Sequence, residues 1–237
     1  MGRETYKFVS GEQTDDKVVV RMDREVRAVP LTVRVIPNVD PELGAQLQVK
    51  PHIRSLGILT CTIDDVGYTA IDEATKKADV EVVYAKSFYG GSAHASGPLS
   101  GEFIGILGGA NPEEVKSGLD AAVETMRRSA CFYSLNEEGS HAYYAHVVSR
   151  TGTYLSELAG IRPGEPLAYL IAPPAEAMIG LDLAMKAANV RLCRFFGPPT
   201  ETNFAGALLT GSQSDCTAAA EAFAAGVRNV AIKPIDF

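Results

Sequence analysis

The chain has no tryptophan and only four cysteines, and none of these cysteines forms a CxxC pair. Dispersed cysteines of this kind are typical of small buried side chains, so we predict neither a disulfide nor a cysteine metal site. Long apolar runs are also missing. The longest apolar runs have the length of a β-strand, well short of the ~20 residues that are needed to cross a bilayer. The charged N-terminus lacks the apolar segment of a secretory signal. These absences predict a cytoplasmic protein with no membrane partner.

Basic clusters and catalytic motifs are absent as well. The net charge is −7, and no dense Lys/Arg stretch occurs, which argues against a nucleic-acid partner. The sequence contains no GxSxG nucleophile motif, no GxxxxGK[ST] phosphate loop and no HxxxH metal pair. The four histidines are scattered through the chain. We therefore predict no catalytic residue, no cofactor and no metal, and interpret the chain as not being an enzyme.

A weak internal repeat is the strongest pattern present. The segments 71–80 and 181–190 align without gaps at an offset of 110 residues, with Asp, Ala, Lys, Ala and Val coinciding. Upstream, Lys50-Pro51 matches Arg162-Pro163, and Leu43 matches Leu155. A repeat of this length indicates duplicated domains, since solenoids have shorter periods. We predict an N-terminal extension over 1–30, a first domain over 31–132 and a second over 133–237.

Each half shows the same succession of predicted elements. The strands and helices alternate so that helices would cover one face of a sheet, which predicts two α/β sandwiches. The predicted strands are Thr32–Ile36, Leu56–Thr60, Val80–Tyr84 and Phe103–Leu107 in the first half, and Ala145–Val148, Leu167–Ile171, Val190–Phe195 and Ala205–Leu209 in the second.

Three segments of this pattern carry specific signals for a helix. Asn111 and Pro112 predict the start of a helix, and Asp64 stands at an N-cap position with Asp65 in the first turn. The central helix of the second half has apolar residues at helical spacing. Its predicted buried face consists of Ala177, Leu181, Ala184, Met185 and Ala188.

Several longer segments resemble one family of proteins. The segment Ala184–Val190 is similar to a helix end of bacterial microcompartment shell proteins. Longer matches resemble the ethanolamine-utilisation, tandem-domain branch of that family; they include Pro51–Gly57, Asp72–Lys76, Val80–Tyr84, His146–Gly152, Ala172–Pro174, Glu201–Asn203 and Leu209–Gln213. The resemblance covers about residues 31 to 235 and leaves the extension outside it.

The resemblance implies a structural role in an assembly. It implies two circularly permuted, ferredoxin-like shell domains per chain and a homotrimer of pseudo-hexagonal outline. This trimer would tile with other shell proteins in the shell of a cytoplasmic microcompartment. Lys76 and Lys186 would then lie at the edges between tiles. A loop that closes the central pore would include Tyr89, Gly90, Gly91, Ser92 and His94.

A smaller pore within each subunit is also implied. By this resemblance, the small pore would be lined by Asp64, Asp65, Glu102 and Phe132. These side chains would contact a small amine, which we take to be ethanolamine. Carboxylates in a narrow passage attract a small cation, and an aromatic ring adds a cation–π face. The plainer alternatives are helix capping for the aspartates and core packing for Phe132.

Other functions stay open at this point. The chain could serve a related compartment that handles another amino-alcohol or a diol. It could also be an enzyme on a duplicated ferredoxin-like fold that uses Asp64, Asp65 and His94, or a ligand-binding regulatory module. His94 could alternatively bind a metal on the three-fold axis.

Overall fold

The computed structural model describes residues 23–88, 102–137, 139, 141–200 and 202–235, and within them two halves repeat the same order of elements. The first half comprises β2 (Pro30–Ile36), α1 (Pro41–Gln46), β3 (Ser55–Cys61), α2 (Asp64–Lys77), β4 (Val80–Ser87), β5 (Phe103–Gly109) and α3 (Pro112–Arg128). The second comprises β7 (Ala142–Val148), α4 (Thr153–Ala159), β8 (Leu167–Ala172), α5 (Pro174–Ala187), β9 (Arg191–Phe196), β10 (Ala205–Thr210) and α6 (Gln213–Ile232). Two short strands, β1 (Glu25–Val26) and β6 (Phe132–Ser134), are additional to the repeat.

The two sheets share one topology. The first sheet has the order β2-β3-β5-β4, and the second contains β7-β8-β10-β9 with β1 and β6 added at the β7 edge. All neighbouring strands are antiparallel. The strand order therefore confirms the duplication and the α/β class that the sequence predicts.

One apolar core is shared by the two halves. Buried side chains of the first half, such as Leu59, Phe103 and Leu107, belong to the same apolar cluster as Tyr144 and Leu155 of the second. A second cluster lies within the second half, between its sheet and the helices α5 and α6. Because the shared cluster includes residues of α2, this helix is packed from both sides.

The end of the N-terminal extension is attached to the second half. Strand β1 pairs with β6, the Tyr143 hydroxyl donates to Asp23 at 2.9 Å, and the Arg228 guanidinium donates to the same carboxylate at 3.2 Å. Phe132, the last residue of the predicted first domain, opens β6 in the second sheet. Residues 1–22 lie outside the described part, and the division at 132 and 133 stays a prediction.

The helix starts and buried helix faces described next agree with the sequence-based predictions, with two exceptions. Asn111 caps α3, accepting a bond from the Glu114 N–H at 2.9 Å, as predicted. Asp64 is not an N-cap: Ile63 occupies that position, and Asp64 is the first residue of α2. Met185 is not buried, because its side chain is 44% exposed on the outer face of α5. Helix α5 is apolar on both sides, so periodicity alone does not distinguish the core side.

Candidate functional site

The first turn of α2 carries two adjacent carboxylates into the boundary between the halves. Asp64 and Asp65 follow the buried strand β3 and are only 7% and 6% exposed. The Tyr169 hydroxyl, from β8 of the second half, donates to Asp65 Oδ1 at 2.6 Å. The Thr202 hydroxyl, also from the second half, donates to Asp64 Oδ2 at 3.5 Å. Both halves therefore build the surroundings of the aspartates.

A small cavity of about 150 Å³ lies beside these carboxylates. Its wall is mainly aromatic and aliphatic, with hydroxyls as the other polar groups. The lining residues are Asp64, Asp65, Tyr68, Ser87, Tyr154, Leu158, Tyr169, Ile171, Phe196, Thr200, Thr202 and Phe204. Since cavities of roughly this size admit a molecule as large as benzene, a metabolite of a few heavy atoms fits.

The charge balance of the cavity is negative and uncompensated. Among the described residues that line it, none is Lys, Arg or His. Burial raises the pKa of Asp64, and burial together with the neighbouring Asp64 charge raises the pKa of Asp65 well above its ordinary value. The bond from Tyr169 opposes this increase only in part. Such a site favours a cation, or a proton, at the carboxylates.

Glu102 lies close enough to act on the same charges. Its carboxyl is half-buried. Burial is the main cause that raises its pKa, and the charge of Asp64 raises it further. Its backbone N–H donates to the carbonyl of Cys61 at 2.8 Å, which holds the residue beside the end of β3. Glu102 is thus near the aspartates, although it is not among the described residues that line the cavity.

Phe132 lies one ring behind the cavity wall. It is buried, stacks on Tyr144 with ring centroids 5.0 Å apart, and meets Phe204 edge-on at 6.0 Å. Phe204 itself lines the cavity. Contact between Phe132 and an amine therefore stays a prediction, while the packing of its ring in the aromatic cluster is observed.

Sequence reasoning missed the aromatic wall. Tyr169 is 104 positions from Asp65, and Tyr154 stacks on Tyr68 at 5.8 Å across the boundary between the halves. The available signal was a tyrosine in the otherwise apolar strand 167–172, because a buried hydroxyl needs a polar partner.

The predicted edge lysines have different surroundings. Lys76 pairs with Glu73, and its ammonium donates to the Arg150 carbonyl of the second half at 2.8 Å. Lys186 is exposed and pairs with Asp182 at 2.6 Å within α5. Tyr89, Gly90, Gly91, Ser92 and His94 of the predicted central-pore loop lie outside the described residues.

No long apolar helix that could cross a bilayer occurs in the described ranges. No group of three or more His, Cys, Asp or Glu that could hold a metal is found there either. The four cysteines are free; three of them are buried, and Cys193 is partly exposed.

Comparison with known proteins identifies the family. The BMC domain model matches residues 55–136. The bacterial microcompartment shell protein EutL of Clostridium perfringens is 58% identical over 212 residues, covering 90% of this chain and 98% of that protein. The chain belongs to the bacterial microcompartment shell proteins. EutL of Salmonella typhimurium is 50% identical, covering 89% of this shell protein and 96% of the relative.

Solved structures agree with this membership. The crystal structure of ethanolamine utilization protein EutL from Leptotrichia buccalis matches with a TM-score of 0.88 at 59% identity, covering 91% of the shell protein and 99% of that chain. A trimeric shell protein, PduB, matches with a TM-score of 0.69 at 21% identity, covering 87% and 88%. The second likeness shows the fold alone.

Proposed function

We propose that the chain is a structural shell component that forms a homotrimer, tiles with other shell proteins around a microcompartment, and passes a small amine through a pore in each subunit. The observation that carries the amine proposal is the carboxylate-lined cavity between the two halves. The role is structural and conductive, without catalysis. In support, the family is that of structural shell proteins, and the buried aspartates face a cavity wide enough for a small metabolite.

An ammonium group fits the chemistry of this cavity. It is compact and has three donors, which Asp64, Asp65 and the nearby Glu102 would satisfy. A bound cation would also stabilise both aspartates in their ionised form, which burial disfavours. A diol offers hydroxyls but no charge, so this site favours an amine such as ethanolamine. Phe132 would contribute indirectly, because its ring packs edge-on against Phe204, whose ring lines the cavity.

Passage requires that binding be weak. A conducting site must release its ligand quickly, so we expect an affinity near millimolar, about −4 kcal/mol. The hydroxyls of Ser87, Thr200 and Thr202 give the ligand polar partners along the wall. Added salt would screen a hydrated charged site and weaken binding further.

The remaining parts of the proposal concern the assembly. Three chains with two equivalent halves each would supply six similar edges, which matches a pseudo-hexagonal tile. PduB, which shares the fold, is itself described as a trimeric shell protein. Lys76 and Lys186 would serve the tile edges, and the segment that holds Gly90 and Gly91 would close the central pore.

Titration calorimetry tests the amine proposal. Ethanolamine should bind more tightly than ethylene glycol, and Asp65→Asn should reduce the affinity for the amine more than for the glycol. Asp120→Asn, at an exposed position of α3, is the matched control and should change neither. Equal binding of the two ligands would leave Asp64 and Asp65 with a structural role only.

A further inference from the structure

The Asp65 side chain accepts a hydrogen bond from the other half of the chain. The Tyr169 hydroxyl donates to its Oδ1 atom at 2.6 Å, and among the described residues Tyr169 is the one donor to this carboxyl. The nearby Thr69 hydroxyl donates to the Asp65 backbone carbonyl at 3.0 Å and also bonds the Tyr144 hydroxyl, so it does not serve the side chain. The Oδ2 atom is therefore left for a proton or a ligand, at a carboxyl that lines the cavity.

The neighbouring Asp64 carboxyl has more donors. Bonds from the Ser87 hydroxyl, the Asp65 N–H and the Thr202 hydroxyl all oppose the increase in its pKa that burial causes. For Asp65, the bond from Tyr169 alone opposes burial and the Asp64 charge, and its pKa is raised well above the ordinary value. When two adjacent buried carboxyls share one proton, the carboxyl with fewer donors holds it, because its ionised form is stabilised less.

The groups around the two carboxyls supply no positive charge in the part of the chain that the structure describes. The titratable side chains that face Asp64 and Asp65 from the packed elements are Glu102, Cys61, Tyr68, Tyr144, Tyr154 and Tyr169. Burial raises the pKa of all four phenols and raises the pKa of Cys61 to about 12, so these five groups are neutral at neutral pH. If both aspartates were ionised in the empty cavity, two adjacent buried charges would be left without a partner, which is costly.

We propose that the empty cavity holds one proton on Asp65 Oδ2, and that an incoming primary ammonium displaces this proton to solvent. Tyr169 is the positioning residue, because its bond occupies Oδ1. The inference rests on the proposed passage of an amine and adds a proton to it. The O–H bond at Oδ2 breaks, the proton leaves to water, and the ammonium pairs with the carboxylate that remains. One positive charge replaces another, so the pair of aspartates and its bound cation carry the same net charge before and after.

Exchange of a proton for an ammonium makes the apparent affinity depend on pH. At a pH below the folded pKa of Asp65 the amine must displace the proton, so a rise of one pH unit should increase the affinity about tenfold. Above that pKa the carboxylate is already free, and the affinity no longer changes. A neutral diol brings no charge to replace the proton, so its binding should release none.

Titration calorimetry of the full chain with ethanolamine tests the exchange. Measured from about pH 5 to about pH 9 in two buffers of different ionisation enthalpy, the heats give the number of protons released. We expect about one proton per amine wherever the affinity rises with pH. Tyr169→Phe removes the donor that favours ionised Asp65. It should lower the affinity about tenfold in the sloping range and leave it unchanged where the profile is flat.

Three further variants identify the group that titrates. Tyr144→Phe removes another buried phenol hydroxyl, on a ring 5.4 Å from that of Tyr169, and should leave the pH profile unchanged because this hydroxyl bonds Thr69. Glu102→Gln should still release the proton, whereas Asp65→Asn should release none and bind the amine with an affinity that does not depend on pH. Release that survives in Asp65→Asn and is lost in Glu102→Gln would place the proton on Glu102 and overturn the assignment.

Infrared difference spectra read the proton without relying on amine affinity. The band of a protonated carboxyl should be present in the amine-free wild type, absent from Asp65→Asn and lost when ethanolamine saturates the wild type. A wild type without this band overturns the proposal. Amine binding without proton release overturns the exchange and leaves the proposed amine passage standing, whereas no binding at any pH overturns both. A Tyr169→Phe profile equal to that of the wild type would remove Tyr169 from its positioning role.

Discussion

The Asp72 carboxylate of the first half accepts a hydrogen bond from the backbone N–H of Leu155, in the second half, at 2.8 Å. Its other oxygen accepts from the Gly152 N–H at 2.7 Å, so one aspartate caps a helix of the other half. Asp72 is 1% exposed, and burial raises its pKa although both bonds oppose the shift. The two halves of the chain are therefore joined by a specific polar contact as well as by the shared apolar core.

Replacing this carboxylate should destabilise the chain. Asp72→Ala leaves two buried N–H groups without an acceptor, which costs about 1–3 kcal/mol for each unsatisfied group. Asp182→Ala, at the equivalent and exposed position of α5, removes only a surface ion pair and should cost less than about 1 kcal/mol. Urea unfolding of both variants measures the difference. Equal losses would contradict the capping role of Asp72.

Gly152 should not tolerate a side chain. A Cβ atom at this position would overlap Thr75 Oγ1 and the Asp72 carbonyl, and the carbonyl belongs to a helix that cannot easily move. Gly152→Ala should cost about 1–3 kcal/mol or more, as overpacking does. The control is Gly197→Ala, where the nearest atom would lie at an ordinary 3.5 Å. Thermal unfolding distinguishes the two, and similar melting temperatures would show that the contact between the halves adapts.

The buried aspartates should make stability depend on pH in a defined direction. The pKa of Asp65 is raised in the folded state, so folding takes up protons between the ordinary aspartate pKa of about 3.9 and the folded value. Stability from this group is present at low pH and is lost as pH rises through the folded pKa. Asp65→Asn should therefore raise the melting temperature at neutral pH.

The gain from Asp65→Asn should shrink as the pH is lowered towards about 4. Differential scanning calorimetry across this range measures the effect, with Asp120→Asn as the exposed control. A gain that is independent of pH would show that the charge of Asp65 is not its cause.

Substitution of the two lysines should affect tiling in different ways. Lys186→Asp should abolish sheets in negative-stain images while trimers persist, because it places a carboxylate where the ammonium would meet carbonyls of a neighbouring tile. Lys76→Asp should also weaken sheets, but it additionally removes the bond to the Arg150 carbonyl and should lower the melting temperature. Sheets that are unaffected by Lys186→Asp would remove this lysine from the edge.

The proposed central-pore loop is tested by restricting its backbone. Replacing Gly90 and Gly91 with valine limits the accessible dihedral angles, because β-branched residues tolerate few of them. Crystals of this variant should show one loop conformation across forms and additives, whereas the wild type should show more than one. A wild-type loop that is the same in every form would contradict gating by this segment.

The sequence predicted the duplication and the strands because these depend on local pattern and spacing. It predicted the pair of aspartates but placed Asp64 outside the helix, since an N-cap and a first helical residue differ only in backbone angles. It did not predict the Tyr169–Asp65 bond or the Asp72 cap, which join residues 104 and 83 positions apart. Pairing over such distances depends on how the halves pack, and local periodicity carries no information about that packing.

The presence of Asp64-Asp65 at the start of α2 and of Pro174-Ala175 at the start of α5 has an evolutionary consequence. In a ring of six identical subunits, any substitution changes six positions at once. A chain that contains two copies of the domain can change alternate positions independently. In the proposed trimer, one copy would be free to acquire charge for the proposed amine while the other kept the packing that closes the ring, so selectivity and assembly could be selected separately.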